Sequence, residues 1–88
     1  MLEKEIEKSL VKAIKDLGGC AYKFTSPGTS GMPDRLVLMP GGRCCFVEVK
    51  APGKRPRPLQ LKRHEHLRAL GFKVYVIDDK SQISSVII

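Results

Sequence analysis

Gly31-Met32-Pro33-Asp34-Arg35-Leu36-Val37-Leu38-Met39-Pro40-Gly41-Gly42-Arg43-Cys44-Cys45-Phe46-Val47-Glu48-Val49-Lys50 holds two strand-like apolar runs, 36–39 and 44–49, around a Pro-Gly-Gly turn. Glycines in such a turn take positive φ without a steric penalty, so the stretch predicts a β-hairpin. Strand side chains alternate between faces, which places Phe46, Glu48 and Lys50 on one face and Cys45, Val47 and Val49 on the other. Asp34 shares the face of Leu36 and Leu38, and a hairpin folded at 40–42 returns the end of its second arm to the start of its first. Asp34, Glu48 and Lys50 are thus expected to converge. Unpaired charge is costly to bury, so three charged residues set into apolar strands point to chemistry.

Outward from the hairpin, residues 2–17 carry Ile6, Leu10, Ala13, Ile14 and Leu17 on one helical stripe, with Gly18-Gly19 as a stop signal. At ~100° per residue Glu3 lies one heptad before Leu10, inside that stripe, while Glu7 sits at its edge and Glu5 points away. Glu3 is therefore the acid expected to face the core. Residues 20–24 predict a strand, and 25–33 an irregular loop. Beyond the hairpin, 51–58 is a basic flap rich in proline, carrying Lys54, Arg55 and Arg57. Residues 59–70 predict a helix closed by Gly71, with Leu59, Leu67 and Leu70 as its apolar face and Gln60 at the border. The nearly all-apolar 72–77 predicts an internal strand, and the tail 78–88 a short helix or strand whose Val86-Ile87-Ile88 end packs or associates.

A chain of 88 residues, 42% hydrophobic and without tryptophan, supports one small domain over 1–88 with a modest core, which a partner subunit would reinforce. The formal net charge of +7 favours a polyanionic partner such as nucleic acid. Three cysteines, two of them adjacent, imply no disulfide framework; buried or half-buried thiols in a reducing compartment are expected. Zinc spacing is missing, and His64-Glu65-His66 lacks the i, i+4 pairing of a helical zinc site. The N-terminus alternates charged and apolar residues, unlike a signal peptide or a membrane span, so a soluble intracellular protein is expected.

Hydrolysis of a phosphodiester needs a divalent metal on hard oxygen ligands, which Asp34 and Glu48 can supply, with the Val49 carbonyl between Glu48 and Lys50 as a further ligand. A lysine one face-repeat beyond the glutamate can hold the attacking water and offset charge in the transition state, the place occupied by Lys50.

At this point the sequence resembles the PD-(D/E)xK nuclease superfamily and, within it, the VRR-NUC family. The resemblance rests on Gly31-Met32-Pro33-Asp34-Arg35, Phe46-Val47-Glu48-Val49-Lys50-Ala51-Pro52, Gln60, the leading helix with Glu3, and Gly71-Phe72-Lys73-Val74-Tyr75-Val76, and so covers nearly the whole chain. It implies an α/β fold with a restriction-endonuclease-like αβββαβ core, a mixed central sheet flanked by helices, that binds Mg²⁺ or Mn²⁺ and cuts DNA. The family includes the catalytic domain of the Fanconi-associated nuclease and stand-alone viral and bacterial proteins. The small forms look like Holliday-junction resolvases, which implies a homodimer acting on branched DNA in the cytoplasm of a bacterium or a phage-infected cell. Carried over by position, Asp34 and Glu48 are metal ligands, Lys50 positions water and stabilises charge, Gln60 is the helix residue near the site, and Glu3, ahead of Glu7, is the first-helix acid that reaches the metal directly or through water.

Each residue alone has a plainer explanation. Asp34 suits a turn after proline, Glu48 and Lys50 a solvated strand face, and the 51–58 cations a mobile loop. Their convergence favours the catalytic reading. Lys54, Arg55 and Arg57 are expected to contact DNA phosphate because their loop follows Lys50 directly. Lys62, Arg63 and Arg68 read as a solvated helix face, and His64 and His66 as surface or interface residues outside catalysis. Two functional classes follow: a metal-dependent DNA endonuclease, and a catalytically silent basic module for nucleic acid or a nuclease assembly.

Overall fold

The structure, a computed structural model, describes residues 2–86. The chain runs α1 (Glu3–Asp16), β1 (Cys20–Lys23), β2 (Arg35–Met39), β3 (Arg43–Val49), α2 (Pro58–Ala69), β4 (Lys73–Ile77), a 3₁₀ turn (Lys80–Gln82) and α3 (Ile83–Val86). This is the expected αβββαβ order with a short C-terminal addition. The sheet is mixed: β1, β2 and β3 are antiparallel neighbours, and β4 pairs parallel with β3 in the order β1-β2-β3-β4. Among the described residues no helix is long and apolar enough to cross a membrane.

Ile6, Leu10 and Ile14, four residues apart, are fully buried and lay α1 onto the sheet face that carries Ala21, Val37, Cys45, Val47 and Val49. Ile77, Ile83 and Val86 complete this core. Both long helices end in the same way. Gly18, at φ +85°, lets its own N–H reach the Lys15 carbonyl and that of Gly19 reach Ile14, and Gly71, at φ +98°, does the same for Arg68 and, through Phe72, for Leu67. These paired bonds satisfy carbonyls that a helix end leaves orphaned. The hairpin turns at 40–42 with Met39 opposite Arg43, and Gly41 and Gly42 both take positive φ.

Three expectations need correction. The strand over 73–77 is an edge strand, not an internal one; its apolar character serves its two faces, since Val74 turns to the α2 side while Ile77 joins the α1 core. The helix 58–69 does not pack through Leu59 and Leu70, which are 45% and 62% exposed; its inward stripe is Gln60, His64 and Leu67. Cys20 and Cys44 are exposed and only Cys45 is buried, because α2 leaves the part of its sheet face near the hairpin turn uncovered. Tyr22 and Leu38 on that part are exposed too. In the tail, α3 buries Ile83 and Val86 as packing predicted, whereas Ile87 and Ile88 lie outside the described residues.

Candidate active site

The hairpin brings the predicted charges together at one end of the sheet. Asp34 stands just ahead of β2 behind the fully buried Pro33. Its carbonyl accepts from the Phe24 N–H at 2.7 Å and its Oδ2 from the Val49 N–H at 3.1 Å. The carboxylate is thereby tied to the strand that carries Glu48. Lys50 is fixed by its own N–H, which donates to the Ile77 carbonyl at 2.9 Å and continues the β3–β4 pairing.

Glu48 is 1% exposed, and its two oxygens meet different surroundings. Oε2 accepts from Gln60 Nε2 at 3.1 Å and lies 3.3 Å from Lys50 Nζ. Oε1 has no hydrogen-bond donor and faces His64 Nε2 at 3.9 Å, while both ring nitrogens of the wholly buried His64 are also without partners. Gln60 has a double role: its Oε1 accepts from the Arg57 N–H at 2.8 Å, capping α2, while its amide nitrogen holds Glu48.

Burial above all, and then the charge of Asp34, push the Glu48 carboxyl up to about 7, although Lys50 pulls the other way. Burial and the nearby Arg68 and Lys50 charges lower the His64 imidazole, which is therefore neutral near pH 7. A buried carboxylate oxygen without a donor, beside a second carboxylate that repels it, is a local surplus of acceptors, and a divalent cation satisfies such a surplus. Among the described residues no cluster of three or more His, Cys, Asp or Glu side chains could hold a metal. Asp34 and Glu48 are the two carboxylates here that could share a cation, with water completing its shell.

The loop before Asp34 is locked to α2 through Gly31. At φ +85°, a Cβ there would stand 2.8 Å from the Leu59 carbonyl oxygen and 3.1 Å from Arg63 Cγ. Arg63 Nε donates to the Ser30 carbonyl at 2.9 Å, so this residue braces the loop and does not simply face solvent. Between loop and helix lies a cleft of about 400 Å³ reaching from Ser30 and Met32 to Arg57 and Gln60. Of the three flap cations, Arg57 lines this cleft, and Lys54 and Arg55 are exposed on the loop that leads to it.

Two sequence expectations about the site change. Glu3 is exposed, and the acid of α1 that turns toward the sheet is Glu7, paired with Arg35. The stripe formula placed Glu3 inward, but Glu3 is the first residue of α1, one turn before Ile6, the first buried residue of the helix. His64 is not a surface residue but the buried neighbour of Glu48. Its signal was present: it stands four residues after Gln60, one turn along the same face of α2. His66 is exposed as expected. The side chain of Val49 is buried in the core and its N–H serves Asp34.

The family model of the VRR-NUC domain matches residues 1–80. The chain belongs to the VRR-NUC family. A solved VRR-NUC domain shares its fold at a TM-score of 0.90 and 37% identity, over 97% of this chain and 92% of that one. A phage protein named "Putative nuclease p44", from Acyrthosiphon pisum secondary endosymbiont phage 1, is 52% identical over 85 residues, 97% of this chain and 90% of its own length. The VRR-NUC assignment makes this a nuclease domain, with nucleic acid as its partner class.

Proposed function

We propose that this protein is a Mg²⁺- or Mn²⁺-dependent DNA endonuclease, selective for branched DNA such as Holliday junctions and active as a homodimer. The observation that carries the catalytic part is the pairing of Asp34 with a buried Glu48 whose Oε1 lacks a donor. These two carboxylates would hold the cation, with the Val49 carbonyl as the backbone ligand expected from the sequence. When bound, the metal supplies charge neutralisation at the phosphate and acidifies water. Lys50 holds its ammonium beside Glu48 Oε2, where it orients the attacking water and offsets developing negative charge. Gln60 restrains Glu48 from the helix side, and Lys54, Arg55 and Arg57 meet the phosphates that flank the scissile one.

The homodimer is supported by exposed apolar surface: Tyr22 is 56% exposed, Leu61 47%, Phe72 42% and Leu38 40%. Two sites related by a two-fold axis suit a junction with two strands to cut. An intracellular location, where branched DNA arises, is part of this proposal.

The test is cleavage of labelled four-way junction, flap, linear duplex and RNA with Mg²⁺, Mn²⁺ or EDTA. The expected result is metal-dependent cutting, fastest on the junction, that falls at least ~100-fold in Lys50→Ala. Absence of metal-dependent cutting of every substrate, with Lys50→Ala indistinguishable from wild type, sinks the enzyme reading in favour of a silent binding module. Light scattering that shows only monomer, free and on junction DNA, removes the homodimer.

A further inference from the structure

The surface of α1 turned away from the core carries a second, unassigned basic feature. At ~100° per residue Lys4, Lys15 and Lys8 fall within an arc of roughly 40°, well away from the buried Ile6, Leu10 and Ile14. With Lys12 they line a groove of about 560 Å³, completed by Val11 and by the Glu7–Arg35 pair. Its lining holds five cations and one acid, Glu7, which is already committed to Arg35. Lys12 is paired with Asp16, but Lys4, Lys8 and Lys15 have no ion pair among the described residues.

The groove opens at the end of the sheet that carries the catalytic site, on the opposite face: Arg35 turns to Glu7 of α1, while Asp34 and Glu48 turn to the α2 side. Arg35 follows Asp34 directly, and Lys23, exposed and in register with Arg35, adds charge at the same end of the sheet. From there the lysines run along α1 toward Lys15, near the other end of the sheet, where Gly19 abuts Leu38 and Met39. Lys4 to Lys15 covers about 16 Å of helix. A B-form strand presents a phosphate about every 3.4 Å of axis, so the ladder spans about four or five phosphates. The basic loop 51–58 leads into α2 on the opposite face of the sheet.

We propose that this groove is a track for the sugar–phosphate backbone of a substrate arm that extends past the cleaved phosphate. The proposal rests on the nuclease reading and adds to it a surface on α1 separate from the 51–58 loop. It fits a polyanion in extended register: several cations spaced along one line, with one apolar side chain between them and no unpaired acid.

The experiment compares wild type with Lys4→Gln/Lys8→Gln/Lys15→Gln and with a control of equal charge loss away from the groove, Arg43→Gln/Lys73→Gln/Lys80→Gln. Fluorescence anisotropy of labelled duplex and four-way junction is followed across KCl concentrations in EDTA. The groove variant is expected to bind about tenfold or more weakly, with the slope of log K against log salt reduced by about 2 to 3, while the control keeps the wild-type slope to within about 1. Glutamine is nearly as good a helix former as lysine, so the melting temperature stays unchanged; if it does not, the single Lys8→Gln is read instead and loses about one in slope. Equal slopes in wild type and groove variant, with cleavage intact, overturn the track alone. A wild-type protein that neither binds nor cuts any nucleic acid overturns the nuclease reading and the track together.

Discussion

His64 Nε2 lies 3.9 Å from Glu48 Oε1, and neither side chain has meaningful contact with solvent. A neutral imidazole with two unpartnered nitrogens closes the inner side of the Glu48 carboxyl, so α2 covers the site with polar atoms where a structural helix would bring leucine. An orphaned buried polar group costs about 1–3 kcal/mol, and an apolar replacement of similar shape removes that cost. His64→Leu is therefore expected to leave the metal-free fold unchanged or more stable by up to about 1 kcal/mol in urea denaturation. A loss of more than about 2 kcal/mol would mean that the ring nitrogens are satisfied.

The raised Glu48 carboxyl gives stability a definite pH dependence. Its folded value of about 7 exceeds the ordinary 4.5, so between these values the folded state binds more protons than the unfolded one. This contribution falls as pH rises through that window and levels off above it. The lowered His64 acts in the opposite sense, with stability rising as pH climbs toward 6.5, so the Glu48 part must be isolated by difference. In EDTA, the stability of wild type relative to Glu48→Gln is expected to fall from pH 5 to pH 8. A flat or rising difference contradicts the burial argument. Stabilisation by added Mg²⁺ or Mn²⁺ is expected to be larger at pH 8 than at pH 5.5, because cation and proton compete for the same carboxylate.

Gly31→Ala is expected to cost about 1–3 kcal/mol from the unfavourable φ and the clash with the Leu59 carbonyl. It should also slow cleavage, because the loop that presents Asp34 and the start of α2 that presents Gln60 meet there. Gly28→Ala, with nothing within 4 Å of its added Cβ, is the matched control and should be silent. Equal melting temperatures for the two variants would dismiss the close approach.

Two acids of α1, Glu3 and Glu7, separate by stability. Glu7→Gln breaks a half-buried pair with Arg35, whose Nε already lacks a partner, and should cost about 1–2 kcal/mol. Glu3→Gln, on an exposed side chain, should stay within about 0.5 kcal/mol. Chemical denaturation of the two variants side by side decides the matter; the reverse order would restore Glu3 as the inward acid.

The order of elements, the hairpin and the convergence of Asp34, Glu48 and Lys50 were legible in the sequence, because each depends on local rules. Strand alternation assigns faces, Gly41 and Gly42 allow the turn, and a hairpin must bring the ends of its arms together. Helix ends at Gly18 and Gly71 were legible for the same reason. What tertiary structure alone decided is which candidate surfaces meet. The apolar residues of α2 suggested a face through Leu59, Leu67 and Leu70, yet the helix packs over a charged site and turns Gln60 and His64 inward. Helical phase chose Glu3 over Glu7, and the structure reversed that choice, because phase says nothing about how far the sheet extends beneath a helix end. The edge position of β4 and the groove beside α1 belong to the same class. A sequence fixes the pattern on each element, but burial is a property of the partner surface, and the partner is set only when the elements pack.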